Sequence, residues 1–249
     1  MLDVDGTTVR YDYSALPTDN VAQAIQQAQK HVTVCLVTGR SFIFLEKVFE
    51  KLQMHSGFAV VNNGAQVVDI AQKKVIHEQL IAHEDAKKIV ELFRQEDMEF
   101  FAKGDPFVHE YYTVPPEVPE DFSPPMFFTM EKYPTKKIDD FMKKLSIIPN
   151  IVYHKTQHSD PDKFGVLINH VDATKGVGIY HLEKHLGITR DEMIGVGDSY
   201  NDFALLMACG LKVAMGNAAP ELKEIADYIA PSVDEDGLVH VIKKYILTA

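Results

Sequence analysis

The first ten residues, MLDVDGTTVR (1–10), place two aspartates two positions apart and follow them with a glycine and two threonines. Alternate residues of a strand project to one side, so Asp3 and Asp5 come together at the end of the first apolar segment. Gly6 lets the chain turn sharply there. Two carboxylates held that close repel, and a shared proton or a bound cation relieves the repulsion. Taken alone, the stretch favours a plainer reading, an Asp-Gly turn beside a solvated strand end. The rest of the chain decides between the two.

Downstream, apolar β-branched runs are each followed by a loop and a helical pattern. Thr18 to Lys30 reads as a helix with Pro17 just before it. The run Val32 to Val37 ends in Thr-Gly-Arg and leads to Phe42, Leu45, Val48, Phe49 and Leu52 at helical spacing, with Ser41 as the expected N-cap. FAVV (58–61) is a further buried strand, ending in Asn-Asn-Gly. The C-terminal third repeats the rhythm. Helices are expected over 175–186, 202–208, 221–226 and 237–246, and strands over 193–196, 211–214 and 228–230. Alternation of this kind implies an α/β fold with a Rossmann-like parallel-sheet core.

The middle of the chain differs. Short alternating pieces and two helical stretches, His83 to Arg94 and Thr135 to Leu145, surround a segment from Pro106 to Pro134 that holds seven of the twelve prolines. This shift marks an inserted α+β domain over 67–167, leaving a discontinuous core domain of 1–66 and 168–249.

The composition suits a soluble globular protein, with 46% hydrophobic and 24% charged residues among 249. A formal net charge of −11 argues against a nucleic-acid surface or an anionic membrane. Cys35 and Cys209 sit inside apolar stretches and read as small core residues, which suits a reducing compartment. No run reaches the ~18 apolar residues of a membrane span. No secretory signal is visible, and the cytoplasm is the expected location. A monomer or weak homodimer is expected.

In an open parallel sheet, ligands bind at the carboxyl ends of the strands. Those ends carry Asp3, Asp5 and Thr7, then Thr38, Gly39 and Arg40, and then the loop GDSYND (197–202) with Asp198, Ser199, Asn201 and Asp202. Lys175 opens a helix after the insert. Mg²⁺ prefers oxygen ligands and combines carboxylates with water and phosphate, so Asp3 and Asp198, helped by Asp202, could hold it. A carboxylate attacks phosphorus only when the substrate's charge is masked, which a cation and Lys175 would achieve. Thr38 and the amide after it can bind phosphoryl oxygens, and the amides near Gly6 and Thr7 can form an anion nest. Asp5, further out, is placed to protonate a leaving oxygen and later activate water.

DVDGT, a strand ending in Thr-Gly-Arg, Lys175 and GDSYND, in that order, resemble the haloacid dehalogenase superfamily of phosphatases. NNGA (62–65) before the insert, and AMGNA (214–218) followed by DEDG (234–237), resemble its Cof-type branch. The resemblance implies Asp3 as a nucleophile that becomes an aspartyl-phosphate and Asp5 as general acid/base. It implies Mg²⁺ bound by the Asp3 carboxylate, the Asp5 backbone carbonyl and Asp198, with Asp202 in support. It implies a phosphate held by Thr38 and Lys175 with Asn201 assisting, to which the Gly39 amide read above is added, and a small phosphorylated metabolite of the sugar-phosphate class is the expected substrate. The family carries more apolar residues before its first aspartate than Met1 and Leu2. A central strand this short implies either missing leading residues or a looser placement of Asp3.

Plainer readings stand beside these. Lys175 alone reads as a solvated first-turn lysine and Thr38 as a turn residue; Arg40 divides evenly between a surface salt bridge and a substrate contact. Asp202 is expected both to cap the helix that follows and to support the metal. None of the eleven histidines is read as a zinc ligand. His154, His158 and His170 read as surface or insert residues, and Phe107, Tyr111 and Tyr112 as packing of the insert's sheet. A phosphotransferase or phosphomutase of the same superfamily uses the same residues. A non-catalytic phosphate sensor is a third reading, disfavoured by the retention of Asp5.

Overall fold

Leu2 pairs in parallel with strands on both of its sides, to Leu36 and to Val196. In this computed structural model, which describes residues 1–12, 14–108, 117–130, 132–156, 160 and 162–247, the opening segment is therefore central but very short. Its backbone bonds run from Leu2 N–H to the Cys35 carbonyl (2.8 Å), from Val37 N–H to Leu2 (2.8 Å) and from Asp3 N–H to Val196 (2.9 Å). At the end of the segment away from Asp3 lies an apolar cavity of about 520 Å³, lined by residues including Met1, Leu2, Ile25, Val34, Ile194 and Leu238.

On one side of this segment β1 (Cys35–Val37) pairs in parallel with β2 (Phe58–Val61). On the other, β9 (Ile194–Gly197), β10 (Leu211–Ala214) and β11 (Tyr228–Ile229) are parallel. The sheet is mixed rather than wholly parallel. Its β2 pairs antiparallel with β3 (Gln66–Asp69), whose other neighbour is β4 (Lys74–Glu78). Only Asn62 to Ala65 separate β2 from β3, too few residues for the crossover that a parallel pair requires. The helices of this unit are α1 (Asp19–Ala28), α2 (Glu46–Leu52), α5 (Lys175–Leu186), α6 (Phe203–Ala208), α7 (Pro220–Glu224) and α8 (Gly237–Ile242). Thr18 caps α1 by accepting the Val21 N–H at 3.2 Å. Ser41 does not cap the helix after Thr-Gly-Arg. Its hydroxyl donates instead to Asn62, and residues 42–45 form a 3₁₀ turn ahead of α2.

The chain forms two compact units, Met1–His77 with Thr174–Ala249, and Glu78–Ala173. The second unit has an antiparallel sheet in the order β5 (Phe101–Lys103), β6 (Met126–Phe128), β8 (Gly165–His170) and β7 (Ile151–Thr156). Its helices α3 (His83–Gln95) and α4 (Thr135–Leu145) bury Ile89, Phe93, Ile138 and Phe141 against Phe127 and Ile168. Tyr111, Tyr112 and His158 lie outside the described residues. Among the described residues, no helix is long and apolar enough to cross a membrane.

Candidate active site

The turn after Asp5 is built around Gly6, whose φ of +82° suits glycine and whose N–H reaches the Val9 carbonyl at 2.7 Å. A Cβ here would collide with the Asp198 carboxylate. The missing side chain therefore brings the turn against the loop after β9. Thr8 donates its hydroxyl to the Asp3 carbonyl at 2.6 Å, and Thr7 donates to Asp198 Oδ1 at 3.0 Å. The Thr7 hydroxyl thus ties the turn to the loop after β9, and the Thr8 hydroxyl closes the turn back onto Asp3.

Lys175 joins three elements. Its ammonium donates to Asp3 Oδ1 and to Asp202 Oδ1, each at 2.6 Å. It is only 2% exposed, and it lies at the first residue of α5, which Thr174 caps through the Val177 N–H. Asp202 spends its other oxygen on the N–H groups of Asp198 and Ser199, both at 2.9 Å. Asp198 also accepts from the Tyr11 hydroxyl and, at 3.4 Å, from the Asn217 amide. Asp3, Asp198 and Asp202 are all buried, and each offers an oxygen within 4.8 Å of the others.

Three buried carboxylates thus lie together with one lysine, which pairs with two of them, Asp3 and Asp202. Burial raises the Asp3 carboxyl well above the ordinary range, with Asp202 and Asp198 pushing the same way and Lys175 opposing. Burial also lifts Asp198, to about 6, against hydrogen bonds that favour its anion. For Lys175, burial disfavours the charge, but Asp202 and Asp3 outweigh it and hold its ammonium above the usual value. An uncompensated cluster of hard oxygen donors fits a divalent cation such as Mg²⁺ or Ca²⁺.

Beside it, Thr38 directly follows β1 and accepts the Arg40 N–H on its hydroxyl at 3.0 Å. The Asn62-Asn63-Gly64 turn holds this loop from behind. Asn62 N–H donates to the Arg40 carbonyl (3.0 Å) and Asn63 N–H to the Thr38 carbonyl (3.1 Å). A Cβ on Gly39 would stand 2.8 Å from the Asn63 side-chain oxygen. At Gly64, with φ of +106°, a Cβ would strike the Thr174 carbonyl and meet the Lys175 nitrogen at 3.0 Å. One turn therefore packs against both the Thr38 loop and the start of α5.

The model of haloacid dehalogenase-like hydrolases matches residues 1–242. The chain belongs to the haloacid dehalogenase-like hydrolase family. Over 99% of its length it is 27% identical to phosphoglycolate phosphatase 1 of Saccharolobus solfataricus and 26% identical to the 5-amino-6-(5-phospho-D-ribitylamino)uracil phosphatase of Bacillus subtilis; each alignment covers 94% of the relative. The fold is similar to a haloacid dehalogenase-like hydrolase from Bacteroides thetaiotaomicron, with a TM-score of 0.80, 21% identity and coverage of 98% of this chain and 97% of that one.

Within this hydrolase, Asp3, Lys175, Asp198 and Asp202 form one buried hydrogen-bonded network. Thr38 and Gly39 stand at the end of the strand next to that of Asp3. Asp5 turns to Arg40 instead, and Asn201 is exposed at the turn carrying Asp202, outside the buried network. Asp202 does not cap α6 with its side chain. It bonds back to the start of the 3₁₀ turn 200–202. Tyr11, Asn62 and Asn217 belong to the site's surroundings although sequence reading gave them no role. Asn217 donates to the Gly6 carbonyl at 2.8 Å and accepts the Val233 N–H at 2.8 Å. Consecutive asparagines before a glycine are a left-handed turn signal that could have flagged Asn62 and Asn63. Nothing in the local pattern around Tyr11 or Asn217 reports a contact almost 190 residues away for Tyr11 and just over 210 for Asn217.

Proposed function

We propose that this hydrolase, a phosphatase of its family, removes phosphate from a small phosphorylated metabolite, with sugar phosphates the first class to test, through an aspartyl-phosphate on Asp3. The observation that carries this reading is the buried Asp3 carboxylate, held by Lys175 beside two further acids that it cannot neutralise. Mg²⁺ is the proposed cofactor, with the Asp3 carboxylate, the Asp5 carbonyl and Asp198 as ligands and Asp202 in support. When bound, it would supply charge neutralisation for the carboxylate and the incoming phosphoryl group.

Lys175 keeps one Asp3 oxygen fixed, which leaves the other to attack phosphorus. The Asp3–phosphorus bond forms as the bond to the leaving oxygen breaks. Asp5 gives its proton to that oxygen, then takes one from the water that hydrolyses the aspartyl-phosphate, restoring Asp3 and releasing inorganic phosphate. Thr38, the Gly39 amide and Lys175 bind the phosphoryl oxygens, with Asn201 assisting. The inserted region, 67–167 by sequence, is proposed to act as a cap that selects the substrate and excludes water. The names of the two curated relatives, each a phosphatase of a small phosphorylated molecule, support the substrate class. Free, buried Cys35 and Cys209 support a cytoplasmic location.

Phosphate release from a panel of sugar phosphates and related metabolites, with Mg²⁺ and with chelator, tests this reading. Mg²⁺-dependent release is expected, together with little transfer to added alcohols. Predominant transfer would instead favour the phosphotransferase reading, and folded, Mg²⁺-binding protein without turnover would favour a sensor.

A further inference from the structure

Asp5 and Arg40 form an ion pair that the chemistry above does not use. The Arg40 side chain is 1% exposed and that of Asp5 30%. Arg40 Nε donates to Asp5 Oδ2 at 2.9 Å and to Oδ1 at 3.2 Å, and Nη2 donates to Oδ1 at 2.5 Å. The same Nη2 reaches the Asp12 carbonyl at 3.2 Å. At its other end the arginine is pinned through its backbone, with its N–H on the Thr38 hydroxyl and its carbonyl on the Asn62 N–H. Arg40 is thus neither a surface salt bridge nor a side chain held out for substrate.

The geometry points to Arg40 as the positioning residue of Asp5, holding its carboxyl plane so that Oδ2 is the oxygen that exchanges a proton with the leaving group and then with water. This inference rests on the acid/base role proposed for Asp5. A partly exposed aspartate otherwise samples several rotamers, and proton transfer needs one of them. A guanidinium locks the plane because its donors are fixed in a fork, which a lysine cannot reproduce. Oδ1 receives two donors and Oδ2 one, so Oδ2 keeps a lone pair for the reacting proton. Arg40 acts through Asp5 and touches no reacting atom in this scheme.

The test compares phenyl phosphate, whose leaving group needs a proton, with p-nitrophenyl phosphate, whose leaving group departs without one. Arg40→Gln, Arg40→Lys and Asp5→Asn are each measured in rapid-mixing assays with Mg²⁺, alongside thermal melting. Asp5→Asn is expected to slow phenol release by about a hundredfold or more while the first turnover of p-nitrophenol falls far less. Arg40→Gln is expected to reproduce that selectivity by about tenfold or more. Arg40→Lys should fail to restore phenol release, and added guanidinium ion should partly restore it to Arg40→Gln. Equal loss on both substrates in Arg40→Gln, with no rescue by guanidinium, overturns the positioning role while leaving Asp5 in place. An Asp5→Asn variant without leaving-group selectivity overturns the acid/base reading itself, and this inference with it.

Discussion

The first unit buries Asp3, Lys175, Asp198 and Asp202 in contact with one another, whereas the second buries Phe93, Phe127 and Phe141 and, among the described residues, bonds the buried polar groups Asp85, Thr129 and Asn169 to separate partners. In the second unit Asp85 pairs with Lys88, the Thr129 hydroxyl accepts the Val166 N–H, and the Asn169 amide donates to the Pro125 carbonyl. Each of these is satisfied locally. Burying charges costs free energy unless they are paired, and three acids around one lysine are not fully paired. The first unit accepts that cost at its strand ends; the second has an apolar core of the ordinary kind. The contrast separates residues selected by chemistry from residues selected by packing.

The sharpest way to break the contrast is Asp3→Asn. Phosphate release is expected to fall at least about a thousandfold. The protein should stay folded and, with chelator present, melt no lower than the parent, because one buried acid has gone. A variant that kept a tenth of the activity would remove Asp3 from the chemistry. Next in size is Lys175→Met, which leaves the carboxylates without their cation. A stability loss of about 3–5 kcal/mol in denaturant titration is expected. Adding Asp202→Asn should recover part of it, since the second change removes a charge the first had stranded.

A third effect concerns pH. Asp198 titrates near 6 in the folded protein, above its ordinary value near 4. The folded state therefore holds this proton more tightly than the unfolded chain does, and so does Asp3. Their contribution to stability is fully present below the unfolded value and is lost as pH rises through the folded one. In chelator, melting should thus weaken between about pH 4 and pH 7 by roughly 1–3 kcal/mol from Asp198. Mg²⁺ should stabilise more at pH 7.5 than at pH 5, and Asp198→Asn should flatten both trends. The smallest effect belongs to the second unit. Ile89→Val trims its core and should cost about 1 kcal/mol without changing the first-turnover rate on p-nitrophenyl phosphate.

Much of this was legible in the chain. The helices over 135–145 and 175–186 match the periodicity, because each has an apolar face and a clear start. Of the buried network, Asp3, Asp198 and Asp202 were named from strand ends and Lys175 from the start of a helix, since short motifs carry them. Three features were not legible. The antiparallel β3 followed from a turn too short for a crossover, which strand periodicity does not register. The Arg40–Asp5 fork spans 35 positions, and a lone arginine after Thr-Gly has no pattern that names its partner. Tyr11 and Asn217 reach Asp198 and the Gly6 turn by tertiary contact alone.

The most direct measurement is on Asp3. Asp5→Asn protein is mixed with p-nitrophenyl phosphate and Mg²⁺, quenched in acid within the first turnover, reduced with borohydride and mapped by peptide mass. One phosphoryl group on the protein before reduction, and conversion of Asp3 alone to homoserine after it, is the expected result. Release of p-nitrophenol with no phosphoryl group on the protein, or with the group on another residue, would contradict Asp3 as the nucleophile.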